Sequence, residues 1–94
     1  MHMSTAQKVL ARLSVFDGST MGSIEVGEDK ITISLQKTTT IRQGYVSSVA
    51  KTADLALKKV AVELHYFDLF GNKDVKRFAM HENDYKTLKK VLGK

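Results

Sequence analysis

Apolar and polar residues alternate along most of this chain. From Lys8 to Phe16, Val9, Ala11, Leu13 and Val15 fall on one side and Arg12 and Ser14 on the other, the two-residue period of a half-buried strand. Asp17-Gly18 ends it. A polar loop running to Gly22 leads to a short strand, Ser23 to Val26, and Gly27-Glu28-Asp29-Lys30 reads as a tight turn into Ile31, Ile33 and Leu35, which alternate with Thr32, Ser34 and Gln36. Thr38 to Arg42 is β-branched and extends the meander, with Gln43-Gly44 as its punctuation. Tyr45 to Lys51 predicts a fifth strand, and Thr52 to Leu57 a short helical turn or loop.

The clearest alternation lies in Lys58 to Asp68, where Val60, Val62, Leu64 and Tyr66 oppose Lys59, Ala61, Glu63 and His65. Phe70-Gly71-Asn72 turns the chain. Lys73 to Met80 returns with apolar residues on both sides, so its buried face stays open at this point. After His81 the period changes: Tyr85, Leu88, Val91 and Leu92 form one stripe of an amphipathic helix of about three turns. Glu82 and Asp84 in its first turn and Lys86, Lys89 and Lys90 later complement the helix dipole, His81 or Asn83 is the expected N-cap, and Gly93 suits the stop. Seven half-apolar strands outnumber what one short helix can cover on a flat sheet. The expectation is therefore a mainly β fold, either two packed sheets or a partly open seven-stranded antiparallel barrel, capped by the C-terminal helix.

Composition narrows this only modestly. A chain of 94 residues has room for one hydrophobic core, so residues 1–94 read as a single domain, with residues 1–6 expected to be disordered or left over from cloning. Apolar residues make up 43% and charged residues 27%, an ordinary globular balance, and no apolar run approaches the roughly 20 residues of a membrane-spanning helix. No secretory signal is legible at the start, and a cytoplasmic location is the default expectation. Without cysteine there is neither a disulfide framework nor a thiolate, and without proline the turns fall to Gly, Asn and Asp.

The net charge of +5 arises from 15 Lys and Arg against 10 Asp and Glu, dispersed with acidic neighbours. Lys58-Lys59 and Lys76-Arg77, taken with Lys73, are the residues most suited to a face for an anionic ligand or partner. Tyr66, Phe67 and Phe70 beside these cations fit base stacking in a nucleic-acid interface, although their alternation more simply places Tyr66 in the core and Phe67 and Phe70 at an edge or turn. His2, His65 and His81 lack paired metal-ligand spacing, and His65 beside Glu63 reads as a solvated or paired surface histidine. Gly18-Ser19-Thr20-Met21-Gly22 has no strand-to-helix junction and is not a nucleophile elbow, nor do Gly18, Gly22 and Gly27 precede a helix as a phosphate cradle does. No catalytic residue, metal or cofactor is nominated.

Three stretches, GSIEVGEDKITIS from Gly22 to Ser34, TTTIRQGYVSSVAK from Thr38 to Lys51, and VKRFAMHENDYKTLKKVL from Val75 to Leu92, in the order given, resemble the pleckstrin-homology-like family, in particular its small bacterial and archaeal versions. The resemblance rests on apolar spacing and turn position over nearly the whole chain. It implies a non-catalytic module that binds a protein or peptide, or self-associates into an oligomer along an exposed strand edge. Phosphoinositide recognition in that family takes a basic cluster on the first strand and the loop after it, whereas Asp17 to Gly22 carries no basic residue and only Arg12 lies nearby. The alternatives are a basic nucleic-acid-binding domain and, after it, weak binding of anionic lipid.

Overall fold

A computed structural model describes residues 8–94. The expected disorder of residues 1–6 lies outside them. Seven strands, β1 (Val9–Asp17), β2 (Thr20–Gly27), β3 (Lys30–Ser34), β4 (Thr38–Arg42), β5 (Val46–Asp54), β6 (Lys59–Phe67) and β7 (Lys73–His81), precede one helix, α1 (Glu82–Leu92). All seven belong to one antiparallel sheet in the order β4-β3-β2-β1-β7-β6-β5. The mainly β fold with a C-terminal helix is as expected. Two separate sheets are not what the chain forms, and the single sheet is not closed into a barrel, since β4 and β5 stand at its two edges.

Alternation decides which side of each strand is buried. Ile24 lies opposite Ile33, Val26 opposite Ile31 and Ile31 opposite Ile41, while in the other half Val49 pairs with Leu64, Val60 with Met80 and Val62 with Phe78. All of these are buried and belong to one core with Val15, Val46, Tyr66, Leu88 and Leu92. One continuous core drawn from every strand requires a curved sheet. The two halves touch narrowly: β1 meets β7 at Phe16 and Ala79, and α1 packs against β1, β6 and β7 over that junction.

The open question about β7 resolves in favour of Phe78 and Met80, which are buried, so Lys76 shares their side and sits half-buried opposite Leu64. Several boundaries differ from expectation. The polar loop after β1 is a two-residue turn, Gly18-Ser19, because pairing with β1 extends β2 back to Thr20. Gly22 within β2 is required by space: a Cβ there would lie 1.9 Å from the Ser34 carbonyl oxygen. A 3₁₀ turn at Gln43–Tyr45 delays β5 to Val46, and β5 then runs on to Asp54 before a tight turn at Ala56–Lys58.

The helix obeys its end signals unequally. His81 is the N-cap but makes no side-chain capping hydrogen bond, so the donor expected to be satisfied there is not. At the other end Gly93 adopts φ +69° and donates its N–H to the Lys90 carbonyl, while Lys94 donates to that of Lys89, the closing pattern in which a left-handed glycine satisfies the last carbonyls.

Candidate functional site

The register places the five cations. Lys59 lies opposite His81, Glu63 opposite Arg77 and Phe67 opposite Lys73, so Lys59, Lys73 and Arg77 occupy the outer face of the β6–β7 pair. Lys76, one residue from Arg77, points to the other side with Phe78 and Met80. Lys58 is in the turn before β6. The five therefore do not make one continuous face.

Two of the outer cations already have partners. Arg77 Nε donates to Glu63 Oε2 at 2.9 Å, and His65 Nε2 lies 3.0 Å from Glu63 Oε1. The Arg77 hydrogen bond, followed by that of His65, holds the Glu63 carboxyl below the usual carboxylate range. Lys59 Nζ sits 4.0 Å from the centre of the Phe16 ring, whose edge faces His81. His65 is thus a surface histidine paired along its own strand. Lys76 and Arg77 both border a hollow of about 570 Å³ with Lys37, Leu35 and Asp17, a neighbourhood to which Lys37 comes from the β3–β4 turn, far away in sequence.

Tyr66 takes the core position expected of it, with its hydroxyl donating to Asp74 Oδ2 at 3.0 Å. Burial and, second, the Asp74 carboxylate push its pKa up to about 12. The Val75 backbone N–H and then the Tyr66 hydroxyl hold the Asp74 carboxyl below its ordinary value. Phe67 and Phe70 are at the strand end and turn, and Phe70 is 88% exposed. Tyr45, Phe67, Asp68, Leu69, Gly44 and Gly71 line a groove of about 370 Å³ at this end of the sheet.

At the opposite end of β6, Leu57 is 81% exposed. Sequence alternation did not single out Leu57, Leu69 or Tyr45, because apolar residues in turns carry no period. The other distinctive feature is the outer edge of β5. Lys51 N–H leaves the β5–β6 ladder and donates to the Tyr85 hydroxyl at 3.0 Å, which ties α1 to this edge at one point. The register is regular from Ser48 to Lys51, so the alternation of an antiparallel ladder turns the Val49 N–H outward as well.

Among the described residues no group of three or more His, Cys, Asp or Glu is placed to hold a metal ion, and no helix is long and apolar enough to cross a membrane. No protein-family model and no curated protein matches the chain.

Proposed function

We propose that this chain is a non-catalytic interaction module of the pleckstrin-homology-like type that takes a protein or peptide partner as an added strand along β5. Support for the family reading comes from seven antiparallel strands followed by a single helix, the order that the resemblance implies. The observation that carries the binding reading is the edge itself. β5 has nine residues and β4 five. Val46-Ser47-Ser48-Val49-Ala50 is uncharged, and the two charges beyond it, Lys51 and Asp54, pair with each other at 3.0 Å, while β4 is short and ends in Arg42. Short strands and unpaired edge charges discourage pairing, and a longer edge with an uncharged stretch invites it. An arriving strand would find the Val49 amide outward, and the bulges at Val46/Ser48 and Lys51/Ala53 would limit the pairing to the stretch between them.

A displayed library of random peptides, selected on the immobilised chain, tests this. Selected peptides should shift the backbone amide resonances of residues 46–54. They should lose at least ~10-fold in affinity (~1.4 kcal/mol) against Val49→Pro, checked for an unchanged circular dichroism spectrum, which removes the outward N–H without removing a ladder bond to β6. Peptides that perturb another surface, or that bind the proline variant equally well, would contradict the proposal.

A further inference from the structure

The two turns that bracket β6 carry complementary surfaces. The turn before it presents a knob, with Leu57 81% exposed and Lys58 beside it. Both residues adopt the left-handed region, Leu57 at φ 60° and Lys58 at φ 59°. Neither is Gly, Asn or Asp, and a Cβ in that region meets the following carbonyl, so the turn carries strain while exposing a large apolar side chain. Nothing within the chain's own core repays that arrangement, since neither residue is buried.

The turn after β6 presents a hole. Its groove of about 370 Å³ is walled by Tyr45, Phe67 and Leu69, with Asp68 as its charged lining residue. The groove is held in shape from within: Asp68 Oδ1 accepts the N–H groups of Phe70 at 2.8 Å and Asn72 at 2.9 Å, and Asp68 N–H donates to the Asn72 carbonyl. Leucine matches the apolar walls, and the lysine beside it matches the aspartate. The knob cannot reach the hole of its own chain, because the nine residues of β6 separate them by about 25–30 Å at the usual rise of a strand.

We propose that the occupant of the groove is the Leu57-Lys58 turn of a second copy of this chain, giving a head-to-tail contact. Knob and hole are different surfaces at opposite ends of one strand, so the contact does not use itself up in a symmetric pair. Each added copy leaves one knob and one hole open, so the association runs on beyond a pair. The contact is small, a turn in a groove, and association belongs at high chain concentration. It uses neither edge of the sheet and stands or falls separately from strand addition along β5.

Sedimentation velocity from about 10 µM to about 1 mM chain tests it. The weight-average mass should rise continuously past that of a dimer in the unaltered protein. Leu57→Asp and Leu69→Asp, both at exposed positions and each checked for an unchanged circular dichroism spectrum, should each remain monomeric. Mixed in equal amounts they should form a dimer and nothing larger, because each supplies the surface that the other lacks. That result also shows both variants to be folded. Lys58→Glu should likewise lose association. A strict monomer at about 1 mM, association that survives both aspartate variants, or a mixture that stays monomeric would each overturn the proposal.

Discussion

The turns at the two ends of β6 solve the same problem in opposite ways. After Phe67, the chain reverses through Asp68 to Asn72 with an aspartate that accepts two backbone N–H groups and a glycine, Gly71, at φ +83°, so each special position holds the residue type it requires. Before Lys59, Leu57 and Lys58 occupy consecutive left-handed positions that favour Asn and Gly, with no side-chain hydrogen bond at the turn's N-cap. One turn is locally consistent and the other is not. Where a chain breaks a local rule without gaining burial, the residues are a natural place to look for a role beyond folding.

Breaking the strand that joins the two turns should have the largest effect. Leu64 is fully buried at the middle of β6, and Leu64→Ala should cost about 3 kcal/mol in denaturant unfolding, lowering both ends together. The sharper test exchanges the strained turn for the residues its backbone favours. Leu57→Asn with Lys58→Gly should raise stability by about 1–2 kcal/mol and the thermal midpoint by roughly 5–10 °C, and a destabilised double variant would show that the turn is not strained. At the consistent turn the sign reverses: Asp68→Ala should cost about 1 kcal/mol by replacing the carboxylate's hydrogen bonds to the Phe70 and Asn72 N–H groups with bonds to water, measured in the same way.

The smallest effect is a slope. Tyr66 begins to lose its proton near its ordinary pKa of 10.0 when unfolded but near 12 when folded. The folded state therefore binds the proton more tightly, and this contribution is complete below pH 10.0 and is lost as pH rises toward 12. Stability measured across that interval should fall in the unaltered protein, and Tyr66→Phe should remove that part of the decline.

How much of this was legible depended on whether a residue's role follows from period or from pairing. The buried side of β6 and the stripe of α1 could be read directly, because Val60 to Tyr66 alternate cleanly and Tyr85, Leu88 and Leu92 recur at helical spacing. The extent of β2 could not: Thr20-Met21-Gly22 looks like a loop until β1 is found alongside it. Lys76 and Arg77 read as one basic patch by adjacency, yet the two-residue period that located β7 also sets them on opposite sides, and only Phe78 and Met80 decide which side is the core. The strain at Leu57 and Lys58 was invisible because neither residue advertises a left-handed backbone. Lys37 joins Lys76 and Arg77 through tertiary placement alone.

Amide hydrogen exchange along β5 tests the open edge most directly. If this edge is unpaired, the Val49 amide exchanges much faster than that of Ala50, its neighbour on the β6-facing side, and binding of a selected peptide slows Val49 without altering Ala50. Equal protection of Val49 and Ala50 in the free monomer would mean that the edge is already occupied, and strand addition along β5 would be excluded.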